Sequence, residues 1–158
     1  MFEEALRLAA LDRSAAVDVE GLRAERATIR RACARIQELL PDAMAADAAD
    51  LDVLTEAVTA LLQRWNRHVR LAEAPDGLLH QIVTDSPRLS TTVARISREH
   101  PVVVTQIRSA LELLGAPDPD LASVRRLLGW AMDAMEQHRR RGNQLIYDAY
   151  NLDIGLSE

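Results

Sequence analysis

Residues 89–114 read LSTTVARISREHPVVVTQIRSALELL. Apolar side chains recur in this stretch every three or four residues, which is the spacing that places them on one face of an α-helix. The series is Leu89, Val93, Ile96, His100, Val103, Ile107 and Leu114. The stretch therefore predicts a helix whose buried face carries one imidazole, that of His100, near its middle.

Three further stretches repeat this pattern, and each has one cationic or imidazole residue on its apolar face. That residue is Arg26 in the first stretch along the chain, His68 in the second and His138 in the fourth. The first series is Leu22, Arg26, Ile29, Cys33, Ile36 and Leu40; the second is Leu51, Leu54, Val58, Leu61, Trp65, His68 and Ala72; the fourth is Leu121, Val124, Leu128, Ala131, Met135, His138 and Leu145. We therefore expect four long helices, three of which bury a histidine.

Composition supports an all-α protein with one domain. The chain has 158 residues, which is enough to bury a stable core without stabilisation by disulfides or bound metals. Apolar residues make up 48% of the sequence and aromatic residues only 3%, a balance that favours packed helices over sheets. We expect a core over about residues 18–150, an N-terminal extension over 1–14 with a short helix at about 2–12, and a tail over 151–158.

Cysteine content, hydropathy and charge exclude several classes of protein. The single cysteine, Cys33, cannot form an internal disulfide, and no apolar run reaches the roughly 18 residues of a membrane span. Residues 1–13 do not resemble a secretory signal. A net charge of -5 argues against a general nucleic-acid binder, and the absence of lysine excludes lysine Schiff-base chemistry. We expect a cytoplasmic protein without a membrane or nucleic-acid partner. The sequence does not decide whether the protein is a monomer or a homo-oligomer.

Proline, glycine and acidic residues indicate where the helices begin and end. Ser86 followed by Pro87 is typical of an N-cap with proline at the first helical position, so the third long helix should start there. The other boundaries should fall at Pro41, at 47–50, at 74–77, at 114–115, at an acidic N-cap within 116–120, and at about Tyr150.

The helix rise of about 1.5 Å per residue indicates that the buried polar residues lie at similar depth. His100 is thirteen residues after Pro87, about 20 Å along its helix, and His68 should lie at a similar height across the Ser86 turn. His138 should come within about one helical turn of the height of His100 if their helices are antiparallel neighbours. The height of Arg26 agrees less closely with that of His68. A buried polar group without a partner costs roughly 1–3 kcal/mol. These side chains therefore need partners, which can be one another, carboxylates, water molecules or a ligand.

Short motifs around these residues resemble those of the hemerythrin-like, or HHE cation-binding, family. Residues 22–26, LRAER, resemble the first-helix segment in which glutamate precedes a ligand histidine, with Arg26 at the position of that histidine. His68 resembles the second-helix ligand, and Glu99-His100 resembles the third-helix Glu-His pair. His138 resembles the fourth-helix ligand that precedes a carboxylate by five residues. The tail YDAYNLDIG over 147–155 also resembles family endings, so the resemblance covers about residues 20–155.

The resemblance implies an up-down-up-down antiparallel four-helix bundle that binds non-haem iron in its core, with dioxygen as a small ligand. Carried over to this sequence, it implies that His68, His100, His138 and Glu73 are metal ligands. Asn143 stands where the fourth-helix carboxylate would be, and Val104 stands where the third helix would supply a second histidine. The set therefore suits one Fe(II) or Zn(II) ion better than two irons.

The remaining polar residues near this set leave three functions open. Arg26 could hold an anion or a reduced oxygen species beside the metal, with Asn143 and Tyr147 as further pocket residues. One hypothesis is a metal-binding protein in oxygen, iron or redox chemistry or sensing. A second is a non-haem metal enzyme acting on a small anionic substrate. A third is a metal-free interaction module without a cofactor, in which the polar core gives conformational specificity.

Overall fold

The computed structural model describes the backbone of residues 2–45 and 48–154, and the side chains of residues 21–43, 45 and 50–150. Five α-helices occupy this part of the chain: α1 (Phe2–Met44), α2 (Ala48–Glu73), α3 (Leu78–Asp85), α4 (Ser90–Leu114) and α5 (Leu121–Ile154). A 3₁₀ turn, Pro87–Leu89, precedes α4, and the described residues contain no strand. The prediction of an all-α protein with four long helices is therefore confirmed.

Several predicted boundaries are confirmed, and three differ. α1 continues past Pro41 to Met44, α4 starts after Pro87, and α5 continues past Tyr150 to Ile154, so the predicted tail over 151–158 is helical as far as 154 and lies outside the described residues beyond it. The backbone N–H of Ser123 donates to Asp120 Oδ1 at 3.1 Å, so Asp120 caps α5 as an acidic residue should. α2 ends before Pro75, and α4 ends at Leu114 beside Gly115. α4 begins at Ser90 rather than at Pro87, because residues 87–89 form the tighter 3₁₀ turn that often opens a helix.

The first helix corrects the expectation of a separate short N-terminal helix at about 2–12. α1 is continuous from Phe2 to Met44, and Pro41 lies inside its last turn. Residues 14–19, SAAVDV, contain neither glycine nor proline, and alanine is the best helix former, so nothing in this stretch forces a break. Pro41 removes one backbone donor close to the end of the helix, where few hydrogen bonds follow it.

The four long helices pack together as a helical bundle. α1 lies along α2, α4 lies along α5, and α2 contacts α4, while α1 and α5 touch over a much shorter stretch. None of the helices in the described part of the chain has both the length and the apolar character that a membrane span needs. The shallow contact between α1 and α5 leaves an opening on that side of the bundle.

The core consists of two apolar clusters with the three histidines between them. On α4, Ile96 belongs to the smaller cluster and Val103 to the larger one, and His100 lies between them in sequence. The order along the chain is reversed on α2 and α5, where His68 and His138 follow residues of the larger cluster and precede residues of the smaller one. The histidines therefore form one polar layer across the middle of the bundle.

Candidate metal centre

Three histidines from three different helices meet in the polar layer. The exposed fractions of His68, His100 and His138 are 2%, 1% and 4%. His68 Nε2 lies 3.2 Å from His138 Nε2, and His100 Nε2 lies 3.3 Å from the same atom. One potential ligand atom from each residue lies within 4.8 Å of the others. The sequence prediction that these residues are buried and adjacent is confirmed.

Two carboxylates hold the outer nitrogens of two of these rings. His100 Nδ1 lies 2.7 Å from Glu73 Oε1, and His138 Nδ1 lies 3.0 Å from Glu99 Oε2. An ionised carboxylate only accepts hydrogen bonds, so each Nδ1 carries the proton and donates it. In a neutral imidazole the other nitrogen then has a free lone pair. The Nε2 atoms of His100 and His138 therefore present lone pairs to the centre of the layer.

These lone pairs need a positively charged group between them. With both Nδ1 atoms protonated, the Nε2 atoms of His100 and His138 are two acceptors facing each other at 3.3 Å. An N–H on His68 Nε2 could donate to His138, but it would leave the His100–His138 contact unchanged. His68 Nδ1 is itself buried and has no hydrogen-bond partner among the described side chains. A proton or a metal ion is the kind of group that resolves this contact.

Protonation of His68 and His138 is unfavourable, and their neutral rings suit a metal ion. Burial lowers the pKa of His68 to about 3, and the nearby charges of His138, His100 and Arg26 act in the same direction. Burial also lowers the pKa of His138 to about 3, with His100, Arg26 and Arg141 contributing. Both rings are then neutral at pH 7, and the neutral imidazole is the form that binds metals.

The spacing of the Nε2 atoms matches a shared metal ion. Metal–nitrogen bonds of about 2.0–2.1 Å in a tetrahedral arrangement place neighbouring ligand nitrogens about 3.3–3.4 Å apart. The two Nε2–Nε2 distances in the layer are 3.2 and 3.3 Å. The rings of His100 and His138 therefore need little movement to share an ion.

A small cavity adjoins all three rings. Its volume is about 20 Å³, and a cavity needs roughly 10–15 Å³ on this scale to hold one water molecule. Arg26 and Gly142 line it together with the three histidines, and the other lining residues are apolar: Leu22, Ala72, Leu78, Leu79, Ile82, Ile96, Leu145 and Ile146. The cavity thus has room for about one water-sized molecule beside the three rings.

Arg26 lies at the edge of this cavity, as the sequence suggested. Its Nη1 donates to Asn143 Oδ1, so the structure brings these two predicted pocket residues together. Its Nε is buried without a partner among the described side chains. Burial lowers the pKa of Arg26, and the neighbouring charges of Arg139 and Arg23 lower it further. The guanidinium is thus partly desolvated, and none of the carboxylates that the structure describes pairs with it.

Two predicted site residues lie in other positions than expected. Glu73, predicted as a metal ligand, is the last residue of α2, and its carboxylate binds His100 at Nδ1, the edge of the ring away from the shared Nε2 atoms. It orients a ring and does not join the group of converging atoms. Tyr147, with an exposed fraction of 61%, lines a wider groove outside the histidine cavity.

Two residues, Glu99 and Trp65, contact the histidines although the sequence assigned them no such role. Glu99 appeared only as part of a Glu-His motif, yet it binds His138 on another helix and pairs with Arg141 Nη1 at 2.6 Å. Trp65, expected as a core residue, also stacks on His68 with ring centroids 5.1 Å apart and donates from Nε1 to the His100 carbonyl at 3.2 Å. Arg141 lies three residues after His138 on the same face of α5. A cation and an imidazole at this spacing indicate a position where one carboxylate can contact both, which is the role of Glu99.

Comparisons of the chain with protein-family models, with curated proteins and with solved structures find no match. Inference about function therefore rests on the geometry of the polar layer and on the residues around it.

Proposed function

We propose that this chain is a hemerythrin-like metal-binding protein, an up-down-up-down bundle that holds one non-haem Fe(II) ion between His68, His100 and His138. Its role would lie in oxygen, iron or redox chemistry or in sensing. The observation that carries the proposal is the convergence of three buried Nε2 atoms, two of them on rings whose Nδ1 atoms donate to carboxylates. Histidines that bind metals usually donate their other N–H to such a group, which fixes the ring and strengthens the ligand.

The donor set favours a reactive site over a structural one. Imidazole nitrogens suit iron, zinc, copper and nickel, and structural zinc sites normally have four protein ligands. Three histidines leave further coordination positions free, and the cavity of about 20 Å³ beside them has room for a small ligand. A bound Fe(II) ion would supply electrons and a binding position for a small ligand such as dioxygen. The other side chains around that position are mostly apolar.

Two observations favour a single ion. Arg26 lines the cavity together with the three histidines, and its positive charge would repel a second cation placed there. Among the side chains that the structure describes, His68, His100 and His138 are the one group of three ligand-type residues that converges in this way. The bundle is therefore suited to a mononuclear centre.

Metal titration of chelator-treated protein tests the proposal. We expect one equivalent of Co(II) to bind with ligand-field absorption bands, and one equivalent of Fe(II) to bind under anaerobic conditions. Both should be lost in His100→Ala and in His138→Ala. The matched control is His80→Ala, because His80 is the remaining histidine and lies exposed on α3. Wild-type protein that takes up no metal, or equal loss in His80→Ala, would contradict the proposal.

A second candidate is a non-haem metal enzyme that acts on a small anionic substrate. The observation that favours it is a groove beside the histidines with four arginines along it. The third hypothesis, a metal-free interaction module, predicts that metal ions leave the melting temperature of the chelator-treated protein unchanged. A metal-dependent rise in melting temperature that disappears in His100→Ala separates the first two functions from the third.

A further inference from the structure

The gap between α1 and α5 contains two adjoining cavities that lead towards the histidines. The inner cavity, of about 310 Å³, reaches His68 and His138. The outer cavity, of about 550 Å³, lies further along α5 and is lined by residues up to Tyr150. Both are lined by Arg26, Arg30 and Arg139, so they meet at these three side chains. We refer to the two cavities together as the α1–α5 groove.

The groove is strongly cationic where its two parts meet. Arg23, Arg26 and Arg30 occupy one face of α1 at spacings of three and four residues, and Arg139 faces them from α5. Arg23 and Arg30 have no ion-pair partner among the described side chains, and only Arg139 is paired, to Glu136 Oε1 at 2.7 Å. Like charges held this close repel one another, and an anion between them would remove that repulsion.

The acidic side chains of the groove do not neutralise it. Asp133 and Glu136 line the inner cavity. Glu136 is already shared between Arg139 and Arg140, and Asp133 lies exposed on α5. Four arginines against these two carboxylates leave an excess of positive charge, and guanidinium groups bind carboxylates and phosphates through paired hydrogen bonds. The groove therefore favours an anionic ligand.

The inner cavity is mainly apolar, which limits the kind of anion. It is lined by Ile29, Cys33, Trp65, Met132 and Met135, in addition to its polar residues. Burial raises the pKa of the Cys33 thiol to about 11, so this side chain is uncharged at pH 7. A cavity of about 310 Å³ is at the lower end of the range for small-molecule sites, roughly 300–1,000 Å³. The inner cavity therefore suits the apolar part of an organic anion better than it suits an inorganic ion.

We propose that the α1–α5 groove binds a small organic anion, with its charged head at Arg23, Arg26, Arg30 and Arg139 and its apolar body in the inner cavity beside Trp65 and His68. This inference deepens the proposed function by naming the class of molecule that reaches the metal centre. It rests on that function for the role of the ligand, whereas the binding itself needs no metal. Arg26, which lines both the groove and the histidine cavity, connects the two sites.

Calorimetric titration of metal-free protein with hexanoate tests this site. Hexanamide has a similar shape without the charge, and acetate has the charge without the apolar body. We expect hexanoate to bind at least tenfold more tightly than either, since both parts of the groove contribute. Equal affinity for hexanoate and hexanamide would overturn the anionic part of the proposal. Equal affinity for hexanoate and acetate would overturn the apolar part.

Two substitutions locate the binding. Arg30→Gln should weaken hexanoate binding by about tenfold or more, because it removes one charged donor. The matched control is Arg31→Gln, which changes the same charge one residue along α1, outside the groove, and should leave the affinity within about twofold. Ala34→Trp, which fills the inner cavity, should abolish hexanoate binding in protein that remains helical and cooperative in unfolding. Equal effects of Arg30→Gln and Arg31→Gln would overturn the assignment to the groove.

The outcomes for the groove and for the metal centre are separable. Hexanoate is titrated without metal, and Co(II) is titrated without any carboxylate. Metal binding without preference for hexanoate would leave the proposed function standing and overturn the groove. Hexanoate binding without metal uptake would support the groove as a binding site and overturn the metal centre.

Discussion

Removing the charge of Glu99 should weaken metal binding without removing a ligand. Glu99 Oε2 accepts the Nδ1–H of His138 at 3.0 Å, and Glu99 Oε1 pairs with Arg141 Nη1 at 2.6 Å. In Glu99→Gln the amide oxygen can still accept a hydrogen bond, but the negative charge is gone. The lone pair of His138 Nε2 then binds a metal ion less strongly, and the His138 ring is held less firmly.

The size of the effect follows from where the carboxylate lies. Loss of such an orienting group typically costs 10–100-fold in metal affinity, which corresponds to about 1.4–2.7 kcal/mol. The side chain of Glu99 is 18% exposed, so solvent screens its charge only in part and we expect a loss within this range. The side chain of Glu73 is 39% exposed, and Glu73→Gln should therefore cost less than Glu99→Gln despite the shorter distance of 2.7 Å.

Competition between the protein and a chromophoric chelator for Co(II) measures these affinities. The control is Glu112→Gln, because Glu112 is an exposed glutamate on the same helix as Glu99 and carries the same charge. It should change the affinity by less than about twofold. Unchanged affinity in Glu99→Gln, or an equal loss in Glu112→Gln, would refute the role assigned to this carboxylate.

Two further predictions concern the metal-free protein and the arginine at the cavity. The pKa values of His68 and His138, about 3 when folded, lie below the usual value near 6.5, so the unfolded chain binds nearly two more protons between about pH 5.5 and pH 4. The free energy of unfolding should therefore fall with decreasing pH in this range, by about 2.7 kcal/mol per pH unit from these two rings. Urea unfolding of metal-free protein should show this slope, and His68→Leu/His138→Leu should remove it; an unchanged slope in the double variant would contradict the assignment. In Gly142→Ala the new methyl group would lie 2.5 Å from Arg26 Nη2, so the guanidinium must move. We expect weaker hexanoate binding with helicity and Co(II) uptake retained, and unaltered hexanoate affinity would speak against Arg26 as part of the groove.

The sequence predicted the buried residues well because helical periodicity decides which face of each helix meets its neighbours. Leu89 to Leu114 indicated the buried face of α4, and the residues of that series are buried in the structure. The rise per residue was enough to place His68, His100 and His138 in one layer. The buried face of a helix depends on that helix alone, and the shared depth needed only the helix rise and the positions of the turns that connect antiparallel neighbours.

Contacts between helices were harder to predict, because they depend on rotation and register that local spacing does not give. Glu73 was expected beside the metal because it follows His68 on α2, but its side chain reaches the outer edge of His100 on α4. Glu99 precedes His100 on α4 and reaches His138 on α5. A side chain of this length can face either of two neighbouring helices, and the packing decides which one.

The charges around the polar layer are arranged asymmetrically, and this arrangement relates the two proposals. Glu73 and Glu99, which bind the outer nitrogens of His100 and His138, belong to α2 and α4. The arginines of the α1–α5 groove lie on the other two long helices. The charge of a divalent ion at the Nε2 atoms would be balanced by these two carboxylates. Glu136, which lines the inner cavity with Arg26, is already paired with Arg139 and Arg140. Under the two proposals, an anion bound in the groove would compensate Arg26, and the metal ion would be compensated by Glu73 and Glu99 on the opposite helices.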